Sequence, residues 1–244
     1  FPLVHVDTSF KIPEMIEYRN RIALEWKLNL IVGQNREALA AKRTFPDRAL
    51  TRVECCKALK SVALKTPLPG EWPRLRAMML DAGRAPRAAG ADFIVLCTNT
   101  MHKVIEGFEA EVGLPLLHIA DATAEAVKAA GISHVGLLGT RFTMEGGFYA
   151  ERLRSCCGLD VVIPEPGDRD AVNRVIYEEL VRGVIRDESR ARFEAVIDDL
   201  AARGAQAVIL GCTEISLLIR EHRLVPLFDT TALHARKAAR MSLD

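Results

Sequence analysis

The sequence predicts an α/β protein in which parallel β-sheets are flanked by helices. Short apolar runs of strand length, at 91–97 and 208–212, alternate with amphipathic segments of ten or more residues. Strands that alternate with helices imply parallel pairing, because each connection must return along the sheet before the next strand begins. A Thr-Pro-Leu-Pro-Gly stretch at 66–70 predicts a linker between two regions of the chain.

Composition narrows the classes of protein that the chain can belong to. Its 244 residues suffice for one large domain or two small lobes, and 49% of them are hydrophobic. The 33 basic and 32 acidic residues give no net attraction to nucleic acid or to an anionic membrane. No apolar run approaches the roughly 20 residues that a membrane-spanning helix needs. We therefore expect neither nucleic acid nor a membrane as a partner.

The six cysteines indicate a reducing environment. They form two adjacent pairs and two single positions, which is not the pattern of a disulfide framework in a chain of this size. No Cys-x-x-Cys pair or spaced His/Cys cluster suggests a structural zinc site. We expect a cytoplasmic protein without a bound metal.

The predicted elements follow the chain in order. Before the linker, strands are expected at 3–6 and 28–32 and helices at 13–26 and 52–65. A helix at 71–89 should either break near Ala85 or be under weak constraint, because an interior proline such as Pro86 costs about 3 kcal/mol. Further strands are predicted at 91–97, 116–119, 134–138, 161–163, 208–210 and 227–228. Helices are predicted at 100–111, 122–130, 143–155, 168–184, 188–203, 215–221 and 231–241.

Two of these strands end in similar polar motifs. The strand at 91–97 leads into Cys97-Thr98-Asn99-Thr100, and the strand at 208–210 leads into Gly211-Cys212-Thr213-Glu214. Ligands of open α/β sheets bind at the carboxyl ends of strands. Two acid/base groups on opposite faces of a carbon can invert it, and a thiolate suits that role if its pKa is lowered by a helix N-terminus or a cation. The alternative is that both cysteines are buried strand-end residues without a chemical role.

From about residue 71 to the end, the chain resembles the aspartate/glutamate racemase family. The strings that carry the resemblance are 90–92, 96–104, 117–123, 136–145, 175–180, 211–215 and 228–230. The resemblance implies two pseudo-symmetric Rossmann-like lobes with the site in the cleft between them. It implies a racemase that needs no cofactor and acts on a small acidic amino acid, and it leaves room for a homodimer.

The same resemblance implies which residues carry the reaction. The first catalytic group of the family directly precedes Asn-Thr, which here is Thr98, and the second is the cysteine of Gly-Cys-Thr-Glu, which here is Cys212. A hydroxyl is a far poorer base than a thiolate, so Thr98 is expected to donate or relay a proton. Five residues are expected to bind the substrate: Asn99, Thr100, Thr140, Thr213 and Glu214.

Several of these residues have a second interpretation. Thr143 either lines the same site or serves as a helix N-cap. Glu214 either complements the dipole of the following helix or contacts the substrate amine. For His102 and His118 we favour a structural role over a catalytic one. Where some relatives carry a carboxylate-binding lysine, only Arg169 or Arg174 could replace it; we favour solvated helix charges for both.

The region before the linker has a different resemblance. The strings at 2–8, 14–19, 30–35 and 52–57 are similar to the sulfate adenylyltransferase small subunit and PAPS reductase family. We therefore divide the chain into that fragment (1–66), an incomplete first racemase lobe (67–117), a second lobe (118–225) and a strand and helix that return to the first lobe (226–244). The racemase Gly-Gly-Met-Ser type loop is not found, so we expect impaired activity. Alternatives are an adenylyl-sulfate-type nucleotidyltransferase or reductase fragment and a non-catalytic fusion remnant.

Overall fold

In a computed structural model, the residues described are 2–7, 29–34, 72–88 and 90–243. They form two compact units. The first comprises residues 1–94 with 107–115, and the second comprises 95–106 with 116–244. Among the described residues, no helix combines the length and the apolar character that crossing a membrane requires.

The first unit contains a parallel strand pair. β1 (Pro2–Asp7) lies beside β2 (Asn29–Gln34), with Leu3 opposite Leu30. Both strands were predicted within two residues of these bounds. The helices predicted at 13–26 and 52–65 lie outside the described residues.

The helix before the racemase-like motifs is longer than expected. α1 (Trp72–Ala88) continues through Pro86, so the predicted break near residue 85 is wrong. Only two residues of the helix follow the proline, and packing holds this last turn in place. A Cβ at Gly83 would come 2.6 Å from the ring of Phe108 in α2 (Phe108–Val112), so the two helices approach closely. Arg87 also donates to the carbonyl of Val112, at 2.8 Å.

The second unit is built on a four-stranded sheet in which every pairing is parallel. Its strands, in the order in which they lie, are β6 (Asp160–Val162), β5 (His134–Gly139), β7 (Ala207–Gly211) and β8 (Leu227–Asp229). All five residues of β7 are buried, as expected for a central strand that is covered on both faces. The predicted parallel α/β architecture is confirmed.

Helices cover both faces of this sheet. They are α3 (Ile119–Ala129), α4 (Arg141–Glu145), α5 (Phe148–Cys157), α6 (Pro166–Glu178), α7 (Asp187–Ala202), α8 (Ile215–Leu218) and α9 (Thr230–Met241). Alternate residues of β7 enter different apolar clusters, because side chains alternate between the faces of a strand. Val208 packs with Phe193 and Ile197 of α7, whereas Ile209 packs with Tyr149 of α5.

Several predicted elements have different bounds. The helix predicted at 100–111 is a 3₁₀ segment (Thr100–Val104) followed by α2. The strand predicted at 91–97 is reduced to β3 (Ile94–Val95), and the one predicted at 116–119 to β4 (Leu116–Leu117). The helix predicted at 143–155 is divided between α4 and α5, because Gly147 adopts a positive φ of 73° that interrupts it.

The last segment lies in the second unit, where β8 pairs with β7. The return of residues 226–244 to the first racemase lobe, expected from the sequence, stays a prediction. The division at 66, 117 and 225, and a cleft between two lobes as the place of the site, stay predictions.

Candidate active site

The ends of β5 and β7 lie side by side and determine where the site forms. Gly139 and Gly211 are register partners in the two strands. A Cβ at Gly139 would come 3.0 Å from the carbonyl oxygen of Gly211, and a Cβ at Gly211 would come 2.8 Å from that of Leu138. Side chains are therefore excluded from both positions. The residues that directly follow, Thr140 and Cys212, are placed at the same edge of the sheet.

Three buried threonine hydroxyls connect the first motif to this edge. Thr100 Oγ1 lies 3.2 Å from Thr140 Oγ1 and 3.5 Å from Thr143 Oγ1, and the last two are 3.2 Å apart. Thr140 is the N-cap of α4, since its hydroxyl accepts the amide hydrogen of Thr143 at 3.4 Å. The N-cap interpretation of Thr143 is thus wrong: Thr140 takes that role, and Thr143 lies within the helix.

Asn99 is held by a directed chain of hydrogen bonds. Thr230 Oγ1 donates to the carbonyl of Leu210 at 2.9 Å, so its single hydrogen is in use. The hydroxyl can only accept from Asn99, whose Nδ2 lies 3.1 Å away. This fixes the orientation of the amide. Asn99 is 4% exposed, and its Oδ1 is an acceptor without a partner among the residues that the structure describes.

Cys212 is a buried thiol with a carboxylate beside it. Its Sγ donates to Glu214 Oε2 at 3.1 Å, and Thr213 Oγ1 donates to the same oxygen at 2.5 Å. Burial, and then the charge of Glu214, raise the pKa of Cys212 well above its ordinary value. This is the reverse of the lowered pKa that the sequence argument required, so the resting thiol is protonated at neutral pH. The Glu214 side chain accepts hydrogen bonds from its two neighbours in the motif.

Thr98 and Cys97 are in different surroundings. Thr98 is half-buried; its carbonyl accepts from His102 Nδ1 at 2.6 Å, and its hydroxyl has no partner within the described part of the chain. Cys97 is exposed, with its Sγ 3.8 Å from the carbonyl of Val95. The Thr98 segment and the Cys212 strand end are connected through Thr100 and Asn99. The choice of Thr98 rather than Cys97 as the group that faces the site stays a prediction.

Three residues that lie near the predicted site residues were not identified from the sequence. Thr230 lies in the string 228–230, which carries part of the family resemblance. No role was predicted from the sequence for Thr230 itself. His234 is 3% exposed, and its ring centroid lies 6.4 Å from that of His102. The pKa of Tyr177 is raised first by partial burial and then by the electrostatic effect of Cys212 and Glu214, which identifies it as a neighbour of both. No local pattern around Tyr177 or His234 signals these contacts, because they depend on the packing of α6 and α9.

The two arginines considered as carboxylate-binding cations differ. Arg169 pairs with Glu145, at 2.7 Å from Nε to Oε1, and donates to the carbonyl of Pro164. Arg174 lines an open cavity of about 720 Å³ along α6 and α7, which none of the predicted site residues lines. Within the described ranges, no group of three His, Cys, Asp or Glu side chains is placed to hold a metal ion.

The family model described as Asp/Glu/Hydantoin racemase matches residues 29–238. The chain belongs to this family, and it is an amino-acid racemase, an isomerase. A Yersinia pestis protein described as a candidate Asp/Glu racemase is 40% identical, with a TM-score of 0.75 over 100% of this chain and 99% of that one. An aspartate racemase homologue from Pyrococcus horikoshii is 26% identical, with a TM-score of 0.69 over 99% and 98%. The broad specificity amino-acid racemase RacX of Bacillus subtilis is 22% identical over 169 residues, 69% of this chain and 72% of that protein.

The N-terminal resemblance is confirmed as a short one. Sulfate adenylyltransferase subunit 2 of Pseudoalteromonas translucida is 54% identical over 39 residues, which is 16% of this chain and 13% of that protein. The racemase match begins at residue 29, inside the region assigned to the other family. A match to so small a part of an adenylyltransferase does not carry its activity, and the racemase interpretation is the better supported.

Proposed function

We propose that this enzyme racemises small acidic amino acids by a two-base mechanism, with Cys212 and Thr98 acting on opposite faces of the α-carbon. The observation that carries this proposal is the buried Cys212 thiol, which donates to the Glu214 carboxylate at 3.1 Å. The segment 98–100 supplies the remaining polar groups. Protein side chains suffice for the proton transfers, so no organic cofactor is required.

The Cys212 and Glu214 pair can both donate and accept a proton. In one direction the protonated thiol gives its hydrogen to the substrate carbanion, and Glu214 stays ionised. In the other direction the thiol hydrogen first passes to Glu214, which leaves a thiolate to remove the α-proton. The positive ammonium group of the substrate offsets the negative charge that this pair holds.

Thr98 serves the opposite face as a relay. Its hydroxyl gives a hydrogen to the carbanion while it takes one from water, and the hydroxide that this leaves is neutralised by the proton that Glu214 releases to solvent. A half-buried hydroxyl with no partner among the described residues suits this role, because water can reach it from one side. The two faces are therefore chemically unequal.

The substrate's ammonium and carboxylate groups have separate partners. Asn99 Oδ1 is a buried acceptor that points away from Thr230, so it suits a donor such as an ammonium group. The hydroxyls of Thr100 and Thr140 can donate to carboxylate oxygens. Thr213, whose hydrogen goes to Glu214, can only accept and so suits the ammonium group. Removal of the Asn99 acceptor should weaken binding of both enantiomers, since the ammonium group is common to them.

The test follows α-proton exchange and inversion together. L- and D-aspartate and L- and D-glutamate are incubated with the enzyme in heavy water; exchange is measured by NMR and configuration by chiral chromatography. We expect both processes with at least one acidic pair, and no racemisation by Cys212→Ala. Cys97→Ala is the matched control, because Cys97 is an exposed thiol of the other motif; it should keep the wild-type rate. Racemisation by Cys212→Ala, or no exchange with any of the four substrates, would contradict the proposal.

Two further expectations belong with this proposal. A reducing cytoplasm is compatible with the absence of a disulfide at Cys97, Cys156, Cys157 and Cys212. A homodimer is tested by light scattering of the purified protein, where the mass of one chain would exclude it.

A further inference from the structure

Both ring nitrogens of His102 are bonded to the main chain of two different elements. Nδ1 lies 2.6 Å from the carbonyl oxygen of Thr98, and Nε2 accepts the amide hydrogen of Ile119 at 3.3 Å. A nitrogen that accepts an amide hydrogen cannot carry one itself, so the ring is the neutral tautomer with its hydrogen on Nδ1. His102 thus connects Thr98 to the first residue of α3.

Two further histidines complete a buried cluster around this ring. The ring centroid of His118 lies 4.1 Å from that of His102, and His234 lies 6.4 Å away on α9. His118 Nδ1 accepts from the amide of Ala120 and caps α3, while His234 Nε2 donates to the carbonyl of Leu117 at 2.8 Å. Each ring bonds to the main chain, so the cluster holds the start of α3 and the Thr98 turn together.

From this geometry we propose that His102 is a positioning residue: its hydrogen bond to the carbonyl of Thr98 determines where the Thr98 hydroxyl lies. The inference rests on the proposed role of Thr98 in racemisation. His102 cannot carry the proton itself, because both of its ring nitrogens are in use and the residue is 4% exposed. Burial, followed by the neighbouring His118, also lowers the pKa of His102 well below its ordinary value, so the ring adds no positive charge beside Thr98.

Two amide substitutions separate the bonds that His102 makes. Asparagine carries its amide group at the position of Nδ1, so His102→Asn can still donate to Thr98 but cannot reach Ile119. Glutamine carries its amide group at the position of Nε2, so His102→Gln can still accept from Ile119 but does not reach Thr98. Both variants remove the ring, so both lose its packing contacts, and a difference between them reports the lost hydrogen bond. His234→Asn serves as a third control, because it removes a buried histidine bond of the same cluster without touching Thr98.

The readout compares inversion with exchange for each enantiomer. We expect His102→Gln to lower kcat for racemisation about 10- to 100-fold, since a misplaced group costs this much, with little change in KM. The enantiomer whose proton Cys212 removes should still exchange with solvent, so the ratio of exchange to inversion rises for that enantiomer alone. His102→Asn should recover most of the racemisation, and His234→Asn should leave the ratio at its wild-type value. Equal ratios in all four proteins, or equal losses in the two His102 variants, would overturn the inference.

A second measurement does not depend on activity. With a carbon-13 label in the threonine carbonyls, the Thr98 carbonyl signal should shift in His102→Gln and stay near its wild-type position in His102→Asn. An unchanged signal in His102→Gln would overturn the role of His102 even in an active enzyme. If the wild type racemises none of the substrates but the Thr98 carbonyl signal still shifts in His102→Gln, the proposed function is wrong and the His102–Thr98 contact is upheld.

Discussion

The two ends of the candidate site are built differently. Cys212 follows a fully buried central strand, and its thiol has a charged partner two residues away. Thr98 follows a strand of only two residues and precedes a 3₁₀ segment, and its main chain is held by a histidine ring. One end thus has an acid/base group with its own proton acceptor, whereas the other has a hydroxyl that depends on placement. A racemase with such unequal ends should respond unequally to changes at each.

Among the variants that distinguish the Thr98 end from the Cys212 end, Thr98→Ala should have the largest effect on racemisation. Racemisation should fall on the order of 100-fold or more, because one face loses its proton donor. Exchange of the enantiomer deprotonated by Cys212 should persist, since that thiol and Glu214 can return a solvent proton to the same face. NMR in heavy water measures this exchange. Thr98→Ser, which keeps the hydroxyl, is the control. If Thr98→Ala slows exchange equally for both enantiomers, the two ends are equivalent and the comparison is wrong.

A smaller effect is expected from Glu214→Gln. Because the carboxylate charge raises the pKa of Cys212, its removal should lower that pKa, while burial still keeps it above the ordinary value. Racemisation should fall about tenfold, since the thiol loses its proton acceptor. The pH dependence of thiol alkylation measures the shift. Glu221→Gln removes an exposed charge elsewhere and should leave the alkylation midpoint unchanged; a midpoint that rises in Glu214→Gln would contradict the electrostatic account.

The smallest expected effect is a pH dependence of stability from the histidine cluster. Burial is the largest cause that lowers the pKa of His102, of His118 (to about 4) and of His234. The unfolded chain, with an ordinary histidine pKa of about 6.5, therefore binds more protons between about pH 4 and 6.5. The free energy of unfolding should fall as the pH falls through this window, by on the order of 2 kcal/mol for His118 alone. Two charged groups act on His118 with opposite signs: Asp121 raises its pKa and Arg152 lowers it.

Urea unfolding across this pH window tests the cluster. His118→Asn keeps an N-cap acceptor for α3 but removes the titrating ring, so its stability should depend less on pH. His134→Asn is the matched control, because His134 is exposed at the start of β5. A pH dependence of the same size in His118→Asn and in the wild type would show that the cluster does not cause it.

In the second unit, the strands and the place of the candidate site could be predicted from the sequence, but the pKa of Cys212 could not. Apolar runs such as 208–212 identify a buried strand, and a strand end predicts where polar groups gather. The pKa of Cys212 was expected to fall, because the start of a helix follows it, but α8 has only four residues and Glu214 folds back toward the thiol. Thr230 and His234 could not be found by local pattern, since they reach the site from 131 and 132 residues beyond Asn99 and His102. The break expected near Ala85 does not occur, and Arg87 in the last turn of α1 donates to the carbonyl of Val112 in α2.

The hydrogen bonds from Asn99 to Thr230 and from Thr230 to Leu210 both donate in one direction. This direction determines whether Asn99 offers a donor or an acceptor to a ligand. Because each hydrogen in these bonds points toward the sheet, the Asn99 end presents an oxygen. A 2-oxo acid would place its own oxygen there and meet a repulsive contact, whereas an amino acid places hydrogens. On the proposed role of Asn99, we therefore expect 2-oxo acids with the carbon skeletons of the substrates to bind more weakly than the amino acids themselves.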